Sequence, residues 1–466
     1  MRRIFVKAVA AMAATAPALF TAGACQAELA PQAKAEIDRA AERVLAQTGV
    51  PSASIAVVQD GTIAYLKAYG QADLSPPRAA TTGMRYAVGS ISKQFTAAAI
   101  LMLAEQGKLS LDDPVGRYVP GLTSGDQITI REILSHTSGY TDYWPQDYVF
   151  PEMKRPGSAM AILNRWAKAP LNFEPGTDWQ YSNTGFVLAG VIVEKVSGEP
   201  LMQFLGEHIF QPLHMTGVVD FDHNQMTAED AKGYTRFALG APRPAPVMGQ
   251  GWMLGAGEVA MRPEDLALWD ISEINRSLLS AKSYAAQTTS VLLKSGRDTH
   301  YGLGLSVRTV HGRPELEHGG EVSGFISENR IFPDDRAAIA VLTNSDYSGG
   351  AAQAVADGIE AILFNEVDKT RTARGLFDAL RQGRLDRSML TANANDYFSA
   401  QATRDFKDSL SPLGDPTGFK LLNSTLRGGM TDEVYEVDYP KRKLQIVLRA
   451  MPDGKVEQFM VYPMAQ

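Results

Sequence analysis

Strand-like segments lie at both ends of the first 364 residues, and mostly helical segments fill the interval between them. Residues 52–58 and 62–69 are the early strand candidates, and Asp60-Gly61 between them is a hairpin turn signal. This order predicts a single antiparallel sheet assembled from the two ends of one domain, with helices packed against it. The late strand candidates are residues 301–309, 324–332 and 337–343.

The interval from about residue 87 to residue 297 has helical periodicity interrupted by Gly- and Pro-rich turns. One further helix candidate, 36–47, precedes the early strands, and another, 350–364, follows the late ones. The sequence therefore predicts an α+β fold in which a large helical subdomain accompanies the sheet. The clearest helical segments of the interval are 92–106, 130–134, 185–196 and 263–274.

A chain of 466 residues is longer than one compact core usually holds. A polar stretch at residues 365–374 separates the first region from a tail with a helical part and then strand-like runs. We therefore expect a domain at residues 28–368 and a small C-terminal α+β domain at residues 369–466. The strand-like runs of the tail are residues 419–424, 433–438, 444–450 and 456–462.

The first 27 residues are typical of an export signal. Arg2, Arg3 and Lys7 form a basic head, a weakly apolar run follows, and small residues allow cleavage after Ala24 or Ala27. The Arg pair also matches a twin-arginine address, so both export routes stay open. The sequence predicts a periplasmic or secreted protein.

Cys25 is the single cysteine, so no internal disulfide can form. Membrane contact would arise only through a lipid anchor at Cys25, and Ala22 stands where lipoprotein signals usually carry Leu. Removal with the signal is the favoured alternative. The formal charge of −7 and the absence of a basic run argue against nucleic acid as a partner.

Ser90-Ile91-Ser92-Lys93 is the first of three chemical motifs. If a helix begins there, Ser90 and Lys93 share one face, and the Ser lies where free backbone N–H groups can hold an oxyanion. A buried lysine loses part of its proton affinity and can activate a serine. Taken alone, the pattern is more typical of a capping Ser and a solvated Lys.

Tyr181-Ser182-Asn183 and His318-Gly319-Gly320 are the other two motifs. Tyr181 could exchange a proton if nearby cations depress its pKa, and Asn183 can both donate and accept hydrogen bonds. The two glycines before the predicted strand at Gly324 would let a substrate approach closely, and Glu321 offers a backbone N–H. The alternatives are a half-buried Tyr with a capping Asn, and a turn between two strands.

The order of these motifs resembles the serine β-lactamase and penicillin-binding-protein superfamily, and the Tyr-Ser-Asn form is similar to its class C branch. The resemblance implies a β-lactamase/transpeptidase-like fold. It also implies that Ser90 is acylated, that Lys93 and Tyr181 share the base work, and that N–H groups of Ser90 and Glu321 hold the oxyanion. Other similar segments are residues 88–97, 128–139, 175–198, 255–269 and 301–345.

His318 departs from the class C β-lactamases, which have Lys at this position. A histidine is mostly neutral at pH 7 and does not grip a carboxylate as a lysine does. In this respect the chain resembles the D,D-carboxypeptidases, D-aminopeptidases and esterases of the superfamily. In the substrate-binding roles that the resemblance implies, Asn183 positions the substrate and His318, Gly319, Gly320 and Glu321 line the pocket.

The prediction is therefore an exported serine hydrolase of a small amide or ester: a D-amino-acid peptide, an ester or a β-lactam. Its partner would be a small molecule or peptide, with peptidoglycan as one source. A carboxylesterase of the same fold and a non-catalytic peptidoglycan- or peptide-binding protein stay open as alternatives.

No cofactor and no metal are expected. Asp220, Asp222 and His223 are too few ligands for a calcium site, and the sequence contains no His-Glu-x-x-His motif. It contains no Gly-x-Ser-x-Gly elbow either, which argues against an α/β-hydrolase. His136 is interpreted as a structural residue.

Overall fold

The computed structural model describes residues 29–310, 312–364 and 369–464. Twelve α-helices, α1 to α12, and sixteen strands, β1 to β16, occur in these residues. The helices are Pro31–Thr48, Ser92–Glu105, Ile130–Leu134, Ala159–Ile162, Asn183–Ser197, Leu201–Leu205, Pro263–Asn275, Ala281–Gln287, Gly350–Leu363, Lys369–Arg381, Ala392–Tyr397 and Ala400–Leu410. The strands are Ser52–Gln59, Thr62–Leu74, Pro77–Ala79, Tyr86–Ala87, Val219–Asp220, Tyr234–Thr235, Arg243–Pro244, Val259–Met261, Ser306–Val310, Arg313–Val322, Phe325–Phe332, Ala337–Thr343, Gly418–Arg427, Met430–Tyr439, Arg442–Ala450 and Val456–Pro463.

The main sheet joins the two ends of the first domain, as predicted. Its seven strands lie in the order β3-β2-β1-β12-β11-β10-β9, and the pairings are antiparallel. Strand β1 pairs with β12 from Ala53 opposite Thr343 to Val58 opposite Ala338. Both strands are almost wholly buried, which explains why they are continuous apolar runs rather than alternating ones.

Helices cover both faces of this sheet. On one face α1 and α9 pack together and enclose a core that includes Ile37, Ile55 and Ile359. On the other face α7 packs against β1 and β12, and α2 and α5 pack against each other within the largest core of the molecule. The predicted α+β fold with a helical subdomain is therefore confirmed.

Strand β10 was not predicted from the sequence. The expectation placed His318-Gly319-Gly320 before a strand, whereas these residues lie inside β10, and the predicted strand at 301–309 shortens to β9. The segment is rich in Glu and Gly, and this composition is not typical of a buried strand. Buried Glu317 is tolerated because Arg308 forms an ion pair with it at 2.6 Å.

The C-terminal strands β13 to β16 form a separate antiparallel meander. Residues of α10 to α12 and of this sheet share a hydrophobic core that includes Phe377, Phe398 and Tyr435. The expected boundary at residues 368 and 369 touches residues outside the described ranges, so the boundaries stay predictions. The expected export signal and Cys25 also lie outside the described residues. Among the helices that are described, none combines the length and the apolar character needed to span a membrane.

Candidate active site

Ser90 lies in a single 3-10 turn, Gly89–Ile91, that leads directly into α2. The residue before it must be glycine for two reasons. Gly89 has φ +52°, and a Cβ at this position would come within 2.8 Å of the backbone nitrogen of Glu321. The turn therefore brings the start of α2 against strand β10, where two backbone N–H groups can face one oxyanion.

Lys93 is fully buried one turn after Ser90. Its Nζ donates to Ser90 Oγ at 2.9 Å, to Asn183 Oδ1 at 2.8 Å and to the carbonyl of Ala256 at 2.7 Å. Burial lowers the pKa of Lys93 to about 7, and the carboxyl groups of Asp142 and Glu258 oppose that shift. Near neutral pH, a substantial fraction of Lys93 is the free amine that can take the proton of Ser90.

Asn183 is held in its orientation by Asp142, a residue that the sequence analysis missed. Asn183 donates its backbone N–H to Asp142 Oδ1 at 3.0 Å and its Nδ2 to Asp142 Oδ2 at 3.2 Å. This pairing turns Asn183 Oδ1 toward Lys93 and fixes the amide assignment. Burial raises the pKa of Asp142, and nearby Lys93 opposes that shift. Nothing in the local sequence distinguishes this Asp from an ordinary loop residue.

Tyr181 faces both Ser90 and Lys93. Ser90 and Tyr181 line the same cavity, and Lys93 Nζ lies 5.0 Å from the centre of the Tyr181 ring. The condition that nearby cations depress the pKa of Tyr181 is not met, because burial raises the pKa above its usual value. Tyr181 is therefore a neutral phenol that can relay a proton rather than a phenolate that removes one.

His136 supports Tyr181 from behind. It is buried, and its Nδ1 accepts a hydrogen bond from the backbone N–H of Ser182 at 3.1 Å. Its ring centre lies 4.2 Å from that of Tyr181. Burial holds the pKa of His136 well below its usual value, so the ring is neutral with its proton on Nε2. This geometry agrees with the interpretation of His136 as structural.

His318 lines the site as a neutral ring. Its Nδ1 lies 2.5 Å from the carbonyl of Gly319, which can only accept, so Nδ1 carries the proton. Its Nε2 then accepts from the Tyr301 hydroxyl at 2.9 Å. Burial, followed by nearby Lys93, lowers the pKa of His318 to about 3. His318 therefore offers no positive charge to a substrate.

Gly319 and Gly320 differ in what they permit. A Cβ at Gly320 would lie 1.9 Å from the carbonyl oxygen of Val88, so only glycine lets β10 approach the Ser90 turn. A Cβ at Gly319 would have ordinary contacts, the nearest at 3.5 Å. The Ser327 hydroxyl of β11 donates a hydrogen bond to the same Val88 carbonyl at 2.9 Å, which also connects the sheet to the Ser90 turn.

Three cavities are lined by Tyr181. The larger, of about 590 Å³, is lined by Ser90, Tyr181, Asn183 and Glu321 and by aromatic side chains of the loop after Tyr143. The smaller, of about 290 Å³, lies along Tyr181 and His318 and does not include Ser90 among its lining residues. The third, also of about 290 Å³, is lined by Ser90, Tyr181, His318 and the two glycines of β10. The structure thus brings all the predicted site residues to one place.

One group of side chains that could supply metal ligands lies outside the lining of these cavities. Among the described residues, Glu199, Glu207 and His208 are the one group whose ligand atoms lie within 4.8 Å of one another. Asp220 and His223 instead pair with each other at 2.7 Å. The carboxyl oxygens of Asp222 accept backbone N–H groups of the 251–253 loop. These last three residues are engaged in local structure.

Residues 37–363 match the sequence family described as Beta-lactamase. The chain is 27% identical over 327 residues to penicillin-binding protein 4* of Bacillus subtilis, a match that covers 67% of this chain and 72% of that protein. It is 28% identical over 315 residues to a D-aminopeptidase of Brucella anthropi. This match covers 65% of this chain and 57% of that protein, so the chain spans less than two thirds of the length of this relative. An octameric penicillin-binding protein homologue from Pyrococcus abyssi has the same fold, with a TM-score of 0.62, 22% identity, and coverage of 93% of this chain and 96% of that one.

Proposed function

The chain belongs to the β-lactamase family of serine hydrolases, and we propose that it hydrolyses a small amide or ester of a D-amino acid through an acyl-enzyme at Ser90. The observation that carries the proposal is the 2.9 Å hydrogen bond between Lys93 Nζ and Ser90 Oγ. A serine becomes nucleophilic when a neighbouring base takes its proton, and Lys93 has the position and the lowered pKa for that task.

Acylation begins when neutral Lys93 accepts the Ser90 proton and Oγ attacks the substrate carbonyl. The oxyanion then lies against the N–H groups of Ser90 and Glu321. The proton returns through Tyr181 to the leaving nitrogen or oxygen as the bond to the carbonyl carbon breaks. In deacylation, water gives a proton to the same base, its oxygen attacks the ester carbonyl, and the acid is released while Ser90 recovers its proton.

The substrate class follows from the charge beside the nucleophile. Neutral His318 stands where a lysine would bind a carboxylate, and Arg308 on the smaller cavity is already paired with Glu317. Because neither His318 nor Arg308 offers a free positive charge to a substrate carboxylate, the site favours substrates with an uncharged leaving group and disfavours β-lactams. Similarity to a D-aminopeptidase supports a D-amino-acid derivative, and peptidoglycan fragments are one source of such compounds.

A carboxylesterase is the second candidate, favoured by the apolar walls of the larger cavity, which include Trp144, Val149 and Phe237. The two candidates differ in the bond that is cleaved fastest. Parallel assays of matched D-phenylalanine amide and ester substrates would separate them. A protein that only binds peptides is disfavoured because the base and nucleophile are already in contact.

We place the reaction outside the cytoplasm, because residues 1–27 have the pattern of an export signal. N-terminal sequencing of the mature protein from cell fractions tests this. A start at Cys25 or Glu28 would identify the cleavage point after Ala24 or Ala27. An intact Met1 in the cytoplasmic fraction would contradict export. A lipid at Cys25 would be the route to a membrane.

Turnover of an activated short-chain ester by the purified protein, beside the Ser90→Ala variant, tests the hydrolase proposal. We expect turnover that falls by at least about a thousandfold in the variant, because removal of a nucleophile eliminates the covalent route. Equal turnover by both proteins would contradict the proposal. A Ser92→Ala variant is a suitable control, because Ser92 lies in the same helix start but its Oγ accepts a hydrogen bond from the Val259 backbone N–H.

A further inference from the structure

The 251–257 loop supplies one of the three hydrogen-bond acceptors of Lys93. Lys93 Nζ donates to the carbonyl of Ala256 at 2.7 Å, in addition to its bonds to Asn183 and Ser90. An ammonium ion has three N–H bonds for these three acceptors, whereas a neutral amine has two N–H bonds and one lone pair. The lone pair faces Ser90 when Asn183 and Ala256 hold both N–H bonds. The Ala256 carbonyl therefore helps to orient the base.

The position of this carbonyl depends on a turn built around Met253. The backbone N–H groups of Ala256 and Gly257 both donate to the Met253 carbonyl, at 2.9 and 3.0 Å. The backbone N–H of Met253 in turn donates to Asp222 Oδ2 at 3.1 Å. A continuous path of hydrogen bonds thus connects the carboxylate of Asp222 with the amine of Lys93.

Asp222 holds the whole first part of the loop. Its carboxylate also accepts the backbone N–H groups of Gly251 at 3.1 Å and of Trp252 at 3.2 Å, so three successive N–H groups converge on a residue that is 5% exposed. Burial raises the pKa of Asp222, and the hydrogen bonds from Met253 and Trp252 oppose that shift. Because all three partners are donors, they stabilise the ionised carboxylate. Its removal would leave buried N–H groups without their acceptor.

We propose that Asp222 is a positioning residue for the general base: its carboxylate holds the loop so that the Ala256 carbonyl takes one N–H bond of Lys93. The inference rests on the hydrolase proposed above. Asp222 is not among the lining residues of the three cavities at Tyr181, so it acts through the loop. It lines a separate cavity of about 250 Å³, which does not include Ser90 among its lining residues.

This separate cavity makes chemical rescue possible, because formate can fill the space that Asp222→Ala leaves. We expect the rate of Ser90 acetylation by p-nitrophenyl acetate to fall about a hundredfold in the variant, since a small displacement of a base is costly. Formate should raise the rate of the variant by about tenfold or more over sodium chloride at the same ionic strength. Formamide, which has a similar shape without the charge, should not.

The pH profile of acetylation is the second readout. Loss of the Ala256 acceptor destabilises the ammonium form, so the pKa of Lys93 should fall in Asp222→Ala and the acid limb should move to lower pH. Formate should move the limb back. The substitution leaves in place the other titratable groups that face Lys93, which are Asp142, Glu258, His136, His318 and Tyr181.

The matched control is Asp265→Ala. Asp265 is 0% exposed and accepts the backbone N–H groups of Gly217 and Arg262, both at 3.1 Å, so its loss removes similar hydrogen bonds outside the 251–257 loop. This variant should lose stability but keep the acetylation rate and the acid limb, with no response to formate. An unchanged rate in Asp222→Ala, or a loss that formate does not reverse, would overturn the inference while leaving the hydrolase intact.

If the parent protein itself is not acetylated, the hydrolase proposal fails, and the positioning is measured on Lys93 directly. NMR of lysine labelled at Cε, with Lys93→Met to identify the signal, gives the pKa of Lys93. We expect a lower pKa in Asp222→Ala that formate returns to the parent value. The same pKa in the parent, the variant and the variant with formate would overturn the inference.

Discussion

At the scale of single residues, Lys93 has two opposing influences on its proton. Removal from water favours the neutral amine, whereas the carboxyl groups of Asp142 and Glu258 favour the ammonium ion. The balance puts the pKa of Lys93 at about 7, where the residue can both take and return a proton. Asp142 matters doubly because it also orients Asn183, the amide that binds Lys93.

Replacement of Asp142 by Asn therefore has a directed effect on pH dependence. A base acts when it is deprotonated, so kcat/KM rises through the pKa of Lys93. Loss of the carboxylate should lower that pKa and move the acid limb down by about half a unit to one unit. The rate should also fall about tenfold or more, because Asn183 loses a charged acceptor.

The matched control is Asp112→Asn, which removes the same charge from a 73% exposed carboxylate paired with Arg131. It should leave the acid limb in place. An Asp142→Asn profile whose acid limb is unmoved, or moves to higher pH, would contradict this account of Lys93.

The two site histidines should not titrate in the physiological range. Burial lowers the pKa of both, that of His318 to about 3. Nitrogen-15 NMR of labelled histidines between about pH 5 and 8 should find His318 neutral with its proton on Nδ1 and His136 neutral with its proton on Nε2. A protonated His318 at pH 6 would contradict this prediction, because a charged ring could bind a substrate carboxylate.

At the scale of elements, the approach of β10 to the Ser90 turn determines whether an oxyanion site exists. Gly320→Ala should push the strand away, because its Cβ would meet the Val88 carbonyl, and kcat should fall about a hundredfold or more. Gly319→Ala is the matched control, since its Cβ would have ordinary contacts. Similar activity losses in the two variants would show that the strand position is not decisive.

The same elements show what the sequence could and could not predict. Strands β1 and β12 and helix α2 were predictable because their burial makes them apolar runs with clear periodicity. Strand β10 was not, because its buried Glu317 is paired with Arg308, which lies on the neighbouring strand β9. Ser90, Lys93 and Asn183 could be found from motif spacing, whereas Asp142 belongs to the site only through the packing of a distant loop.

At the scale of the whole molecule, the hydrophobic cores divide into two groups that draw on separate, consecutive parts of the chain. The cores of the first domain contain described residues up to 364, and that of the C-terminal meander contains residues from Ala373 onward. A fragment that ends at residue 368 should therefore unfold cooperatively, with a melting temperature within a few degrees of one transition of the full chain. Differential scanning calorimetry would reveal it; a fragment without a cooperative transition would mean that the tail completes the fold.

The most direct test of the central claim is intact-mass and peptide-mass spectrometry of the protein quenched during turnover of p-nitrophenyl acetate. The account predicts an acetyl group on the peptide that contains Ser90, absent from Ser90→Ala, and formed much more slowly in Lys93→Met because the base is missing. Acetylation at another residue together with full turnover by Ser90→Ala would contradict it.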